Sequence, residues 1–262
     1  MTLTPDLKHI IQIVEHAGKS ILLPHFQQQH EVQTKDDGSI VTQADLACQS
    51  YLQEKLHGLA PHISFLGEEM SNSEQIACLQ SKAAFWCVDP LDGTSNFATP
   101  MPMFAISIAL IVDGKAMLAC IHDPIRHETF TAIHQQGAKL NGQDIVVSSK
   151  NTLSDSVGFL DFKRLSPALS THFATQNIYR SQRNLGTCVL EWAWLAAGRA
   201  QFIIHGAEKL WDYAAGSLLA EEAGCVVRDF SGLQPFAKKT LSSSILAAHP
   251  SIYQDLKKHV SD

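Results

Sequence analysis

Apolar residues recur at helical spacing along the first part of the chain. From Leu7 to about Phe26, apolar side chains return every three or four residues, which predicts an amphipathic helix. Thr4 followed by Pro5 is typical of an N-cap and a first helical position, so we expect the helix to begin there. The polar residues 27–39 that follow predict a flexible connection.

A second helix is predicted after Thr42, because Asp45 follows it at the spacing of an acidic capping box. Beyond this helix, short continuous apolar runs are typical of buried strands. These runs cover residues 63–66, 84–88, 104–112, 116–121 and 129–133. Asp113 and Gly114 join the third run to the fourth, and this dipeptide favours a tight hairpin over a membrane span.

Strand-like and helix-like segments alternate after about residue 149. They cover residues 157–160, 167–175, 189–197, 201–204, 211–223, 225–228 and 244–247. Residues 167–175 predict a helix. Gly224 is expected to end another helix, the one predicted at residues 211–223. The first half therefore indicates an α+β fold and the second an α/β fold. Because no Pro-, Gly- or Ser-rich linker separates them, we expect two sub-domains, 1–149 and 150–262, packed as one compact unit.

The composition narrows the class of protein. The net charge is −6 and the basic residues are scattered, so neither nucleic acid nor an anionic membrane is expected as a partner. The six cysteines show no C-x-x-C spacing and lie mostly in apolar runs, which predicts reduced, buried thiols. No basic segment followed by an apolar run opens the sequence, so we expect a cytoplasmic protein.

Two carboxylates follow the apolar run that ends at residue 88. Asp89 and Asp92 lie three residues apart where an α/β sheet presents ligands, and oxygen ligands of this kind suit Mg²⁺. The amides of Gly93, Thr94 and Ser95 could point at an anion if they open a short helix. Taken alone, the same residues could simply form turns, with Asp92 bonding to its own backbone.

Other acids favour the metal-site interpretation. Glu68 follows the apolar run at residues 63–66, and Asp212 lies in the first turn of a predicted apolar helix. A phospho-aspartate mechanism of the haloacid-dehalogenase type is disfavoured, because its D-x-D signature places the acids one residue closer than Asp89 and Asp92. The chain also lacks the Gly-rich Lys loop of the P-loop nucleotide triphosphatases.

Three ordered segments resemble the signatures of the inositol monophosphatase family. They are Gly-Glu-Glu at residues 67–69, Trp-Cys-Val-Asp-Pro-Leu-Asp-Gly-Thr-Ser-Asn-Phe at 86–97 and Trp-Asp-Tyr-Ala-Ala-Gly at 211–216. Further likeness at residues 35–45, 102–110, 122–132 and 185–187 extends the resemblance over nearly the whole chain. The resemblance implies a layered αβαβα sandwich of the inositol monophosphatase and fructose bisphosphatase type.

The resemblance also implies roles for individual residues. The metal ligands would be Glu68, Asp89, the Leu91 carbonyl, Asp92 and Asp212, holding two or three Mg²⁺ ions for which Mn²⁺ could substitute. The catalytic residues would be Asp45, Glu68 and Thr94, of which Asp45 and Thr94 orient the attacking water. The substrate contacts near the phosphate would be Asp92, Gly93, Thr94, Ser95 and Asp212. Lithium inhibition and a homodimer are further expectations.

The leaving-group side departs from the family pattern. Inositol-hydrolysing members usually carry a Glu seven residues before the Asp212 position; here that residue is His205, and Glu208 is displaced by three. His205 either contacts the leaving group or merely ends a strand at the surface. Gly186, Thr187 and Cys188 correspond to backbone contacts with the sugar.

We therefore expect a magnesium-dependent phosphatase acting on a small phosphorylated metabolite, with inositol 1-phosphate as the favoured substrate. Histidinol phosphate or a broad range of sugar phosphates are the alternatives within the family. A catalytically idle scaffold or regulatory relative is the alternative from another class, because a fold does not guarantee turnover.

Overall fold

The structure of the chain is a computed structural model that describes residues 6–26, 33–34, 40–81, 83–150 and 152–260. Its helices are Leu7–Ala17 (α1), Leu23–His25 (α2), Gln43–Leu59 (α3), Asn72–Gln80 (α4), Thr94–Ala98 (α5), Pro167–Thr175 (α6), Cys188–Ala196 (α7), Leu210–Glu222 (α8) and Pro250–Val260 (α9). Its strands are Gln33–Thr34 (β1), Ile40–Val41 (β2), Ser64–Gly67 (β3), Phe85–Asp92 (β4), Ala105–Val112 (β5), Lys115–Asp123 (β6), Glu128–Ile133 (β7), Ala138–Leu140 (β8), Gln143–Ile145 (β9), Val157–Asp161 (β10), Ser181–Arg183 (β11), Phe202–Lys209 (β12), Val226–Arg228 (β13) and Ser242–Ala248 (β14).

Two large sheets organise these strands. The first has seven strands in the order β3-β4-β5-β6-β7-β8-β9, and all neighbours are antiparallel except the parallel pair β3 and β4. The second has five strands in the order β11-β10-β12-β14-β13, in which β10 pairs in parallel with both β11 and β12. The short strands β1 and β2 form a separate antiparallel pair.

Helices cover both faces of both sheets, which gives five layers. One apolar core lies between α1 and α3 and the outer face of the seven-stranded sheet. A second core lies around α7 and α8, which pack between the two sheets, and a third joins the five-stranded sheet to α6 and α9. The αβαβα sandwich expected from the sequence is therefore confirmed.

Strand β4 shows why the sequences of these strands are continuous apolar runs. Successive side chains of a strand point to opposite faces. Trp86 and Val88 accordingly enter the core beneath α1 and α3, while Phe85 and Cys87 enter the core around α7 and α8. Because both faces are covered, every residue of the run is buried, and no apolar-polar alternation marks it in the sequence.

The first helix differs from its prediction. It begins at Leu7 with Asp6 as its N-cap, whose carboxylate accepts the Lys8 amide at 3.0 Å, whereas the predicted cap, Thr4 followed by Pro5, lies outside the described residues. It is also not continuous to Phe26, because a π-helical turn at Gly18–Leu22 interrupts it before α2. Most of the predicted connection at 27–39 also lies outside the described residues.

The strand and helix predictions that followed are confirmed with small shifts of their ends. Thr42 caps α3, and Asp113 and Gly114 form the two-residue turn between β5 and β6 with positive φ angles of 49° and 71°. Helices α4 and α9 and strands β8, β9 and β11 were not predicted. All six cysteines are free thiols, four of them buried, in agreement with the sequence prediction.

The division of the chain at residues 149 and 150 stays a prediction. The seven-stranded sheet lies before this point and the five-stranded sheet after it, yet α7 and α8 pack against both sheets in a single core. Within the part of the chain that the structure describes, no helix combines the length and apolar character needed to cross a bilayer.

Candidate metal and substrate site

A bulge at the end of β4 brings Asp89 and Asp92 together. On a regular strand, side chains three residues apart point to opposite faces. Here Asp89 pairs with Ser107 while Asp92 pairs with Ala105, so three steps along β4 match two along β5. Such a bulge turns the strand and redirects its side chains. The two carboxylates can therefore face one site.

Asp212 completes a cluster of three carboxylates. It lies in the first turn of α8, where the Lys209 amide donates to its Oδ2 at 3.4 Å. Asp89, Asp92 and Asp212 each place a carboxylate oxygen within 4.8 Å of the others. Since α8 packs between the sheets, the central helix layer supplies one ligand and the seven-stranded sheet the other two.

Glu68 lies beside this cluster at the end of β3. Gln75 of α4 fixes the turn that carries it, because its side-chain amide donates to the carbonyls of Gly67 at 2.9 Å and Glu68 at 3.0 Å. The negative charge of Glu68 contributes to raising the pKa of both Asp89 and Asp212. The structure thus brings four of the predicted acids to one region, three of them within contact of a single cation.

The electrostatics of the cluster favour a bound cation. Burial, followed by the charges of neighbouring acids, raises the pKa of Asp89 and of Asp212 well above the ordinary range. Burial also raises the pKa of Asp92 to about 6, although hydrogen bonds from Thr187 and from the amides of Val189, Cys188 and Gly93 oppose it. Such acids must be protonated or neutralised by a cation, and an all-oxygen donor set suits Mg²⁺. The donor chemistry therefore fits the expected metal.

A second pair, Asp45 and Thr94, is held rigidly next to this cluster. The Thr42 hydroxyl and amide donate to Asp45 Oδ2 at 2.6 and 2.8 Å, so the capping box of α3 fixes this carboxylate. The Thr94 hydroxyl lies 3.0 Å from Asp45 Oδ1 and 3.1 Å from the Leu91 carbonyl. A hydroxyl that donates to a carboxylate keeps its lone pairs available to accept a hydrogen from water.

Asp92 also links the acid cluster to the segment that contains Thr187 and Val189. Its Oδ2 accepts a short hydrogen bond from the Thr187 hydroxyl and another from the Val189 amide at 2.8 Å. Asn96 forms a similar link, because its side-chain amide donates at 2.8 Å to the carbonyls of both Met103 and Leu185. Thr187 was expected only as a backbone contact; its hydroxyl instead holds a candidate metal ligand.

A cavity of about 630 Å³ opens from the acid cluster toward the five-stranded sheet. The predicted residues in its wall are Asp92, Ser95, Gly186, Thr187 and Cys188. Residues that the sequence reasoning missed also line it, notably Asp161, Lys163, Arg164 and Glu191. Asp161 could have been found, because it follows the predicted strand 157–160 as Glu68 and Asp89 follow theirs.

His205 is placed behind this wall. Its ring is buried in β12 and is not among the residues that line the cavity; its Nε2 lies 3.5 Å from Asp161 Oδ2. Glu208 is buried as well, and its Oε1 accepts the Trp192 indole N–H at 2.7 Å. Burial raises the pKa of Glu208 well above its usual range.

Gly93 lies between Asp92 and Thr94 in a conformation that favours glycine. Its φ is 90°, and a Cβ atom there would lie 2.9 Å from the Met103 carbonyl oxygen. Gly93→Ala is expected to lower the free energy of unfolding by about 2–3 kcal/mol through backbone strain and the displaced carbonyl. Because both neighbours move with it, turnover should fall by about 10- to 100-fold.

Gly114→Ala provides the matched control for Gly93→Ala. Gly114 also has a positive φ, 71°, but no atom outside its own neighbourhood lies within 4 Å of the added Cβ. We expect a loss of about 1 kcal/mol in urea unfolding and unchanged turnover. Equal losses for the two variants would contradict the importance of the Met103 contact.

The layered fold carries an acid cluster whose oxygen donors suit a divalent cation. The sequence profile of the inositol monophosphatase family matches residues 3–261. The chain belongs to this family, whose reaction depends on magnesium, and it is accordingly a phosphoric monoester hydrolase.

Individual relatives agree with this placement. The chain is 33% identical to an inositol monophosphatase of Dictyostelium discoideum over 98% of its own length and 96% of the relative. It is 32% identical to the Nus factor SuhB of Pasteurella multocida, covering 97% of this chain and 95% of that protein. The solved structure of an IMPase from Thermotoga maritima superposes with a TM-score of 0.86 at 28% identity, over 97% of this chain and 96% of that one.

Proposed function

We propose that the chain hydrolyses a small phosphomonoester, with inositol 1-phosphate as the favoured substrate. The supporting observation is the cluster of the buried Asp89 and the half-buried Asp92 and Asp212, whose carboxylate oxygens lie within 4.8 Å of one another beside a substrate-sized cavity. Together with Glu68 and the Leu91 carbonyl, these residues would hold Mg²⁺, in two or three positions that Mn²⁺ could also fill.

Magnesium, when bound, supplies positive charge that polarises the phosphate and lowers the pKa of water. The residues of the chain position the reactants. The Thr94 hydroxyl donates to Asp45 and accepts a hydrogen bond from the attacking water. As the water attacks, its proton passes to the Thr94 oxygen and the Thr94 proton passes to Asp45. Because the capping box fixes Asp45, this pair needs little reorganisation during the reaction.

The phosphate and the leaving group occupy neighbouring parts of the site. The phosphate is held by the amides of Gly93, Thr94 and Ser95 at the start of α5. The leaving group extends into the cavity, where Gly186, Thr187 and Cys188 form part of the wall. Asp92 and Asp212 serve both as metal ligands and as contacts near the scissile bond.

A panel of phosphomonoesters tests the proposal. Phosphate release is measured from inositol 1-phosphate, histidinol phosphate, adenosine 3′,5′-bisphosphate and fructose 1,6-bisphosphate, with Mg²⁺ or with EDTA. We expect the highest kcat/KM with inositol 1-phosphate and no release in EDTA. A clear preference for another member of the panel would replace the substrate but keep the enzyme class.

Lithium in the millimolar range is expected to lower the magnesium-dependent rate, because the complete acid site of this family is present. The assay is the same panel at fixed Mg²⁺ with added LiCl, and NaCl at equal concentration controls for ionic strength. An unchanged rate in LiCl would show that lithium sensitivity does not transfer to this chain.

A second candidate function follows from the names of the relatives. Several are named Nus factor SuhB, so a regulatory role is a further candidate for this chain. The intact acid cluster favours turnover over an idle scaffold. Absence of phosphate release from every small monoester in Mg²⁺ would favour the regulatory role. The homodimer and the cytoplasmic location stay predictions.

A further inference from the structure

Asp161 is a carboxylate in the wall of the leaving-group cavity. It ends β10, and its side chain is 21% exposed. Its Oδ1 accepts the Lys163 amide at 2.9 Å, which fixes the orientation of the carboxylate. Oδ2 faces His205 Nε2 at 3.5 Å. A carboxylate oxygen can accept more than one hydrogen bond, so Asp161 can also accept one from a ligand in the cavity.

His205 holds Asp161 from behind. Strands β10 and β12 are parallel, and Asp161 and His205 are direct partners in their register. The His205 ring is 6% exposed, and its Nδ1 lies 3.2 Å from the Ala207 amide, which can only donate. Nδ1 therefore accepts this amide hydrogen, which leaves the ring N–H on Nε2, directed at Asp161. The contact with His205 lowers the pKa of Asp161, so its carboxylate stays ionised.

The register of the two strands decides which side chain reaches the cavity. Asp161 on β10 and His205 on β12 are register partners, and only Asp161 of the pair lines the cavity. The acceptor that the leaving group meets is thus supplied from β10 rather than β12.

The charges around Asp161 restrict the leaving group. Lys163 and Arg164 also line the cavity, and neither side chain forms an ion pair or hydrogen bond with another residue that the structure describes. Burial raises the pKa of Glu191, in the same wall, to about 8, so this group is mostly neutral at pH 7. Apart from Asp92, the charged side chains in this wall are therefore two cations, Lys163 and Arg164, and one carboxylate, Asp161. This balance disfavours a cationic leaving group.

We infer that Asp161 is a specificity-determining residue, positioned by His205, that accepts a hydrogen bond from a hydroxyl group of a neutral polyol leaving group. This inference rests on the proposed phosphatase function and names the leaving-group class. The cavity selects a polyhydroxylated alcohol phosphate over the phosphate of a cationic amino alcohol. Phe162, which also lines the cavity and is half-buried, offers apolar surface to the C–H groups of such a ring.

The first test compares two substrates for one substitution. Inositol 1-phosphate carries hydroxyls for Asp161, whereas p-nitrophenyl phosphate has none. In Asp161→Asn the oxygen stays with the Lys163 amide and an NH₂ donor replaces Oδ2. This substitution should raise KM for inositol 1-phosphate by about 10- to 100-fold, the size of a lost hydrogen bond to a charged group, with a smaller change in kcat. For p-nitrophenyl phosphate kcat/KM should change less than about twofold. Asp155→Asn, at an exposed aspartate paired with Arg180, should leave both substrates unaffected.

The second test examines His205 as a positioning residue. His205→Leu removes the donor to Asp161 and should raise KM for inositol 1-phosphate as Asp161→Asn does, again without affecting p-nitrophenyl phosphate. His205→Gln keeps an N–H donor and should recover part of the loss. Because both residues act through one hydrogen bond, the double variant His205→Leu with Asp161→Asn should be no worse than the poorer single variant.

Three results would overturn the inference. Asp161→Asn could lower activity on both substrates equally, which indicates a structural role, or it could change neither. The wild-type enzyme could also prefer histidinol phosphate, with Asp161→Asn harming that substrate most, which would make Asp161 a cation-binding group. These results all require magnesium-dependent phosphate release by the wild type, so they are distinguishable from failure of the proposed function, in which no monoester is hydrolysed.

Discussion

Replacing Asp89 by Asn is expected to reduce magnesium-dependent phosphate release by about 10³-fold or more, because a metal ion supplies several kcal/mol of transition-state stabilisation. Asp89 is fully buried in the acid cluster, and the substitution removes a negative ligand while keeping the size of the side chain. The Leu91 amide, which donates to Asp89 Oδ1 at 3.0 Å, can still donate to the Asn carbonyl oxygen. The loop that carries Asp92 should therefore keep its conformation.

The same substitution should raise the stability of the metal-free protein. In EDTA, Asp89 must keep a charge near Glu68, Asp92 and Asp212 or take up a proton, and either state is unfavourable relative to the unfolded chain. Asn needs neither. Thermal unfolding in EDTA should thus shift upward while turnover falls, and this opposite pair of effects separates loss of a metal ligand from damage to the fold.

Asp113→Asn is the matched control for Asp89→Asn. Asp113 is exposed in the turn between β5 and β6 with a φ of 49°, a conformation that Asn accepts readily. Its turnover and melting temperature should equal those of the wild type. If Asp89→Asn kept more than about a tenth of wild-type turnover at saturating Mg²⁺, the assignment of Asp89 as a metal ligand would be wrong.

The acids of the metal site could be predicted because each follows a local pattern. Asp89 comes directly after an apolar run and Glu68 comes directly after Gly67, the last residue of β3. Asp212 lies in the first turn of an apolar helix, so acids expected at the ends of strands and the starts of helices include all three. The sequence spacing of Asp89 and Asp92 did not show how they converge. That depends on the bulge between β4 and β5, which is a property of strand pairing.

The leaving-group side was harder to predict because it depends on contacts between distant segments. His205 was predicted as either a leaving-group contact or a surface residue. The structure excludes the surface position, because the ring is buried against Asp161, 44 positions away in the sequence, and the leaving-group contact stays a prediction. Parallel register, which no local pattern encodes, creates that contact. The hydroxyl bond from Thr187 to Asp92 likewise joins residues that only the tertiary fold brings together.

Two helices were missed for different reasons. Helix α4 carries a readable capping box, since the Ser71 hydroxyl and the Glu74 carboxylate hydrogen-bond at 2.6 Å, but only one of its residues is buried, so its apolar pattern is weak. Helix α9 has buried Ile252, Tyr253, Leu256 and Val260 at helical spacing. Its pattern was sufficient, and Pro250 marks its start.

In EDTA, the free energy of unfolding is expected to fall as the pH rises from about 6.5 to 8, and saturating Mg²⁺ should make this fall smaller. The acids whose pKa is raised well above the usual range in the folded protein are Asp89, Glu208 and Asp212, and the pKa of Glu191 is raised to about 8. In this pH range the folded metal-free state binds more protons than the unfolded state, in which these acids are ionised. Stability must therefore decrease with rising pH.

The pH range is chosen to exclude groups with the opposite effect. Burial lowers the pKa of His122 to about 4, so this residue favours folding as the pH rises, but only until the unfolded histidine loses its proton near about pH 6.5. Carboxylates with a lowered pKa, such as Asp161, are already fully ionised there. Each acid that keeps its proton in the fold lowers the free energy of unfolding by about 1.4 kcal/mol per pH unit, until the pH passes its pKa in the folded protein.

Magnesium makes this fall smaller because it binds the ionised carboxylates of the acid cluster. At high pH the ligands are already deprotonated, so the ion binds more tightly and stabilises the folded state most where the metal-free protein is weakest. Urea unfolding at several pH values, in EDTA and in Mg²⁺, measures both curves. Glu191→Gln lies outside the acid cluster and keeps an acceptor for the Leu185 amide, so it should reduce the slope in EDTA without changing the effect of Mg²⁺. Parallel curves in EDTA and Mg²⁺ would show that the acid cluster does not hold the ion.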